Sequence, residues 1–348
     1  MGSPFPPSEP MYGAALWRRH MTQYIVRRVV LMIPTIIVIS IISFVIIQLP
    51  PGDYLSSYVA TLLEQGDIVD EQILENMRRR YGLGQPVYVQ YLKWVWGMLH
   101  GDFGRSMEWQ VSVSSLIWER LALTFALSLF TMVFTWSLAI PVGVFSATHQ
   151  YSIADYAFTF FGFVGLGVPN FMLALILMYV AMTVFNQTVG GLFSADYIRA
   201  PWSWAKFVDM LKHIWIPMLI LGTGGTAGLI RTMRAQMLDE LHKPYVVTGR
   251  AKGLSERRLI WKYPVRVAMN PFFSGLSTAL PNLISGSTIV SVVLSLQTTG
   301  PLMWRALRSQ DMYLAGSFLL MLSILTVVST LLSDIVLAAM DPRIRYQD

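Results

Sequence analysis

Long stretches with no charged side chain are the feature that most limits how this chain can fold. A helix crossing a bilayer needs about 20 mostly apolar residues, because each advances about 1.5 Å through a hydrocarbon core of about 30 Å. Six such stretches can be read along the chain: 29–49, 121–148, 156–185, 213–230, one within 267–304, and 313–340. Glycines at 222, 224, 225 and 228 thin the fourth. Charged residues make up only 13% of the 348 residues, about half the usual share of a soluble domain. Too few charges remain to cover a soluble globule or solvate a disordered chain. The runs are long and do not alternate, which excludes β-barrel strands. With no cysteine, disulfide scaffolds, thiolate metal sites and cysteine nucleophiles are excluded too.

The first run is not a cleaved leader: it is long, lacks a small-x-small cleavage site and ends in Pro50-Pro51-Gly52-Asp53. Upstream, Pro4, Pro6, Pro7 and Pro10 read as a disordered tail over residues 1–20, with Met21 an alternative start. Lysine and arginine at span ends are held in the cytoplasm. Arg18, Arg19, Arg27 and Arg28 precede the first span, so the N-terminus is expected inside, and six spans return the C-terminus to that side. The stretch 231–266 then lies inside as well, and it carries nine Lys/Arg against three acids. The opposite loop, 50–113, has eight acids and five bases, as an exported segment should.

Two loops are too large to be connectors. In the outer one, 71–81 and 87–99 are expected as surface helices, the second rich in interfacial aromatics such as Tyr88, Tyr91, Trp94 and Trp96. In the inner one, Pro244 suits a first helical turn, and the helix should run to about Lys252. Gly253 supplies the left-handed residue that ends helices and Leu254 the accompanying apolar contact. Ser255 is placed to cap a second helix, with Glu256 near its positive end. Asn270-Pro271 leads into span five. A solvated loop does not require such turn chemistry; a rigid knob presented to a partner does.

Several chemistries lack their residues. The six lysines precede Trp, Phe, His, Pro, Gly and Tyr, so the Lys-Ser/Thr step of a P-loop is missing. The five histidines have no metal-ligand spacing, no Gly-x-Ser-x-Gly elbow occurs, and an enzyme reading has no support. The glycine-rich run 222–228 reads as a helix-packing face. Asp334, an acid inside a span, is expected to serve a helix end or salt bridge. Pro169 and Asn170, with Gly162, Gly165 and Gly167, should kink span three and are weak candidates for lining a pathway.

The run Tyr245-Val-Val-Thr-Gly-Arg-Ala-Lys-Gly-Leu-Ser-Glu-Arg-Arg258 resembles the cytoplasmic loop motif of permease subunits from binding-protein-dependent ABC importers. It is most similar to the dipeptide and oligopeptide branch. Residues 24–53, with Arg27-Arg28, Ile33-Pro34-Thr35 and the Pro-Gly-Asp exit, resemble that branch's first span. Gly101-Asp-Phe-Gly-Arg-Ser106 and Asp341-Pro-Arg-Ile-Arg-Tyr346 resemble two further motifs, in the expected order. A glutamate-alanine-alanine triplet of the wider family is replaced by Val247, Thr248 and Gly249. Gly249 should loosen its helix by roughly 1 kcal/mol relative to alanine unless a close contact requires it, and Pro264 should kink the second helix.

The resemblance implies an all-α type I importer permease with six transmembrane helices, N-in and C-in, embedded in the lipid bilayer. Expected units are the tail (1–20), a first transmembrane helix (21–49), an extracytoplasmic lid (50–113) and a five-helix core (114–348) with its coupling loop at about 238–268. Implied partners are a second homologous permease, two cytoplasmic ATPase subunits that hold ATP and Mg, and an extracytoplasmic substrate-binding protein, with no nucleic acid. The coupling contact transferred from the family comprises Pro244, Tyr245, Val247, Thr248, Gly249, Arg250, Ala251, Lys252, Gly253, Leu254, Ser255, Glu256, Arg257 and Arg258, with no catalytic or metal residue. Short peptides are the expected cargo. Oligosaccharides, opines or metal chelates remain alternatives, and an ion-coupled secondary carrier a remote one.

Overall fold

A computed structural model describes residues 10–48, 85–106, 108–184, 190–276, 287–309 and 311–340, with isolated positions at 59, 72 and 75. Among the described residues the fold is helical apart from a single antiparallel bridge between Arg105 and Ser112. The expected helix at 71–81, the Pro50–Asp53 exit and the C-terminal motif at 341–346 lie outside the described residues.

Helix α1 (Pro10–Gln48) carries the first span. It begins earlier than the expected tail allows. Pro10 fits an initial turn, and the next proline is Pro34, so nothing between them stops the helix. Helix α2 (Val87–Leu99) has the limits expected from sequence. Helix α3 (Val113–Thr148) begins eight residues ahead of the expected span: the Ser112 hydroxyl accepts the Ser115 N–H, and Glu119 and Arg120 are accommodated in the first turns.

The third expected span is broken. Helices α4 (Ile153–Gly167) and α5 (Asn170–Val184) meet at 98°, a sharper turn than a kink. Val168 is extended, as a residue before proline prefers, and the Pro169 carbonyl accepts N–H bonds from Met172 and Leu173. Helix α6 (Trp204–Leu241) overruns the expected fourth span at both ends. Its glycines do not break it: the Phe134 ring packs where a Gly222 side chain would lie, and Gly224 and Gly225 are in ordinary contact with neighbours.

After α6 come four short helices: α7 (Pro244–Ala251), α8 (Glu256–Lys262), α9 (Pro264–Ala268) and α10 (Asn270–Ser274). Residues 277–286, the middle of the expected fifth span, lie outside the described residues. Beyond them, α11 (Thr288–Val293) and α12 (Thr299–Arg308) are separated by a turn in which Ser295 has φ 51°. Helix α13 (Met312–Met340) completes the chain's described part. Among the described residues, four helices are thus long and apolar enough to cross a membrane, or five if the bent pair counts as one span.

Directions follow from contacts. Arg28, near the start of the apolar part of α1, lies 2.9 Å from Asp334, late in α13. This is an ion pair without the alignment of a hydrogen bond. At the other end of the same two helices, Phe44, Trp94 and Leu320 form a buried cluster. The first and last spans are therefore antiparallel, as an N-in, C-in chain requires. Helices α3 and α6 run parallel: Leu123 and Leu127 share a core with Met210, Ile214 and Ile220, while Ala139, Val144 and Ala147 share another with Met233 and Met237. The outer end is tied by Asp311, fully buried, which accepts from the Ser106 hydroxyl at 2.5 Å and from the Leu314 and Glu108 N–H groups. This explains the Gly101–Ser106 motif: Gly104, at φ 80°, also leaves room for the Tyr313 ring.

The α3–α6 seam depends on glycine. A Cβ on Gly143 would lie 2.5 Å from Met233 Cβ, and one on Gly222 2.9 Å from the Phe134 ring. Gly228 has nothing within 4 Å. Gly143→Ala should therefore cost about 1–3 kcal/mol through overpacking, whereas Gly228→Ala should gain roughly 1 kcal/mol of helix propensity. Thermal unfolding of the detergent-solubilised protein separates the two; equal midpoints would defeat the packing account.

Candidate functional site

The charge-rich segment between α6 and α10 forms a rigid projection at the Arg28 end of the bundle. Pro244 opens α7, and the Tyr245 hydroxyl donates to the Glu240 carboxylate, tying α7 back to the last turn of α6. Burial, followed by that carboxylate, pushes the Tyr245 hydroxyl well above the ordinary phenol range, so it remains a donor at physiological pH. Helix α7 closes with both hydrogen bonds of a Schellman ending. The Leu254 N–H donates to the Gly249 carbonyl at 3.3 Å and the Gly253 N–H to the Arg250 carbonyl at 2.9 Å. Gly253 has φ 78°, a conformation that β-carbons resist.

One face of α7 points inward. Val246 and Gly249, three residues apart, are buried, and Leu259 from α8 is fully buried against them. A Cβ on Gly249 would lie 2.5 Å from Leu259 Cδ1. The close contact that would justify Gly249 in a helix is therefore present. Gly249, expected at the centre of the partner-facing set, instead lies beneath the surface and admits Leu259. The outward face is Pro244, Tyr245, Val247, Thr248, Arg250, Ala251, Lys252 and Gly253, continued by Ser255, Glu256, Arg257 and Arg258; Leu254 is half-buried. Ser255 holds the N-cap position of α8, but its hydroxyl makes no capping bond.

Arg250 and Glu256 clasp the turn through two contacts, at 2.6 and 3.2 Å. The guanidinium hydrogen bonds hold the Glu256 carboxyl below the usual carboxylate range. A depressed folded value means that the clasp's contribution is complete above the ordinary glutamate range and is lost as pH falls through the lowered value. Both side chains are exposed, so its worth is small.

Pro264 does more than kink a helix. It ends α8 and takes the first-turn position of α9, where its missing N–H is harmless. That break turns Val265, Ala268 and Phe272 into the core shared by the inner ends of α3 and α6. Trp136 of α3 lies edge-on to Phe272 and Phe273 at 5.6 Å, and the Phe273 carbonyl accepts from Ser333 of α13. The projection is thus rooted on three spans.

Pro169 and Asn170 occupy the α4–α5 bend. The Asn170 side-chain oxygen lies 3.5 Å from the position a Gly224 Cβ would take, so the bend packs on the glycine-rich stretch of α6. Sequence reasoning missed the strongest ion pair of this end. Arg234 Nε and Nη2 donate to the Asp155 carboxylate at 3.0 and 2.9 Å, and Asp155 also accepts the Tyr151 N–H. Asp155 is 2% exposed. The pair locks the start of α4 to the last turns of α6, next to the projection. Its only sequence signal was Ser152 three residues before Asp155, an N-cap pattern.

Comparison with known proteins gives the same outline. Residues 139–346 match the family described as "Binding-protein-dependent transport system inner membrane component", and residues 21–128 match its N-terminal companion. The chain is 36% identical to the "Oligopeptide transport system permease protein AppB" of Bacillus subtilis, over 94% of this chain and all of that protein. It is 29% identical to the "Dipeptide transport system permease protein DppB" of Escherichia coli K12, with the same shares. Among solved structures, the inward-facing MetNI methionine ABC transporter aligns with a TM-score of 0.51 at 15% identity, over 66% of this chain and 97% of that one; this likeness shows the fold.

Removing one partner of the pair should hurt more than removing both. Arg234→Gln, which strands the buried Asp155 carboxylate, should cost about 2 kcal/mol, and adding Asp155→Ala should recover part of it. Thermal unfolding of the single and double variants checks this. A double variant no more stable than the single would remove the pair from its locking role.

Proposed function

The chain belongs to the inner membrane components of binding-protein-dependent transport systems, and on that premise we propose how it works and what it carries. It is a multi-pass inner-membrane permease subunit of an ABC importer. In our reading its cargo is short peptides, delivered by an extracytoplasmic binding protein. Relatives that match 94% of this chain over their own whole length carry peptide permease names, and that supports the reading over sugars, opines or chelates. A second, homologous permease completes the pathway, and two cytoplasmic ATPase subunits bind ATP and Mg and perform the hydrolysis.

The observation that carries the coupling role is the rooting of the projection. Its outer face, drawn from residues 244–258 apart from the buried Val246 and Gly249 and the half-buried Leu254, is exposed and basic, while its base shares a core with α3 and α6 and a hydrogen bond with α13. A groove on an ATPase subunit that grips α7 moves as ATP closes the ATPase dimer. Because α7 and α8 are joined through a Schellman turn and a buried leucine, the displacement passes to the span ends as a unit and is not absorbed in a loop. Alternating access then follows from tilting of packed helices.

The substrate assignment is tested by ATP-dependent uptake into proteoliposomes holding the complete complex, supplied with labelled dipeptides, oligopeptides and oligosaccharides. Accumulation of peptides alone is the expected result; uptake of sugars alone would overturn it. The coupling assignment is tested by Gly253→Val. Nothing lies within 4 Å of that position, so the variant strains the turn by about 1–2 kcal/mol without a clash. Membrane insertion should be normal and peptide transport should fall at least tenfold relative to ATP hydrolysed, or the ATPase subunits should dissociate. Normal transport with ATPase subunits bound would refute the assignment.

A further inference from the structure

At the end of the bundle opposite the projection, a cavity of about 420 Å³ opens between α11, α12 and the beginning of α3. Its α12 wall is Thr298, Pro301, Leu302, Arg305 and Arg308, positions three and four apart that share one helical face. Helix α3 adds Leu116 and, one turn later, Arg120. The cavity therefore collects three guanidinium groups. Among the described residues none of them forms an ion pair. The charge of Arg305 acts on Arg120, and the carboxylate that Arg120 feels is its chain neighbour Glu119.

Two hydroxyls beside the cavity, one on α11 and one at the start of α12, are also without partners. Ser291 is fully buried and Thr298 is 2% exposed, and neither side-chain oxygen has a hydrogen-bond partner. Thr298 sits at the N-cap of α12 without capping it, although threonine there ordinarily accepts an N–H of its own helix. A buried hydroxyl with no partner is costly. The cavity opens outward, with Arg305 and Arg308 exposed at it and Arg120 half-buried, and these guanidiniums beside two unpaired hydroxyls indicate a site shaped for an anionic group with several acceptor positions. Trp109 and Trp304 supply apolar wall beside them.

We propose that this cavity is an outer subsite of the import pathway that receives the C-terminal carboxylate of a peptide. The proposal rests on the peptide reading above and deepens it. Arginine presents a planar fork that matches a carboxylate's two oxygens, and the Ser291 and Thr298 hydroxyls can donate to the remaining lone pairs. The volume falls within the roughly 300–1,000 Å³ of small-ligand pockets. It suits a few residues of an extended peptide and not the broad face of a folded binding protein. Its position at the outer end makes it a landing site for cargo released by that protein, before the spans tilt.

The test compares trialanine with trialanine amide, both at concentrations that saturate the binding protein, in proteoliposomes of the complete complex. The free acid should be transported about tenfold faster, the size of one charge-assisted hydrogen-bond set. Arg305→Gln and Arg308→Gln should bring that ratio toward one while leaving the affinity of loaded binding protein for the complex unchanged. Ser291→Ala, too small a change to endanger folding, should lower the ratio part of the way. An intact ratio in all three variants would overturn the proposal. So would weakened binding-protein docking with the ratio intact, which would assign the arginines to that protein. Failure of the premise looks different: wild type would then transport neither peptide while accumulating an oligosaccharide.

Discussion

The fold depends on how closely α3 and α6 approach each other. Within a bilayer the surrounding chains are as apolar as leucine, so burying leucine between two helices gains little, and association rests on van der Waals fit. Gly143 accepting Met233 and Gly222 accepting Phe134 provide that fit at two levels. Because the two helices are parallel, they need a third element to bring the chain back across, and the bent α4–α5 pair lies against α6 for that purpose. Asp155 and Arg234 then pin the inner start of that return. The seam, the bend and the ion pair are thus one arrangement, and the projection grows out of its inner end.

That arrangement explains why the projection is built from short helices broken at Gly253 and Pro264. A single long helix would leave α6 and point away from the bundle. Breaking at Gly253 folds α8 back on α7 around Leu259, and breaking at Pro264 returns the chain into the core of α3 and α6. Each break uses a residue whose backbone favours it: glycine for the left-handed turn, proline for a first helical turn. The result is braced on its exposed side and apolar where it meets the spans.

What could be read from the sequence was whatever local chemistry decides. The limits of α2, the start of α7 at Pro244, the positive φ of Gly253 and the placing of Asp334 in an ion pair follow from neighbours within a turn or from charge placement. Span limits were read less well, since counting charges puts a helix end at Arg120, whereas the helix itself ends only at its cap, Ser112. The bend at Pro169 was expected, but its angle depends on packing against α6. Contacts made by distant parts of the chain were invisible: Asp155 with Arg234 is separated by 79 positions and Ser106 with Asp311 by 205. The role of Gly249 likewise required knowing that Leu259 lies above it.

The distribution of charge at the two ends has a common logic. At the inner end the basic residues on the projection's surface are exposed or paired outward, as Arg250 is with Glu256, and they suit a large partner that approaches from water. At the outer end Arg120, Arg305 and Arg308 line a void with unpartnered hydroxyls, and they suit something small that enters it. A single positive residue on a surface contributes modestly and is screened by salt; guanidiniums gathered around one opening add their fields on the same small ligand. In the proposed scheme the same side chain serves orientation and docking at one end and selection at the other.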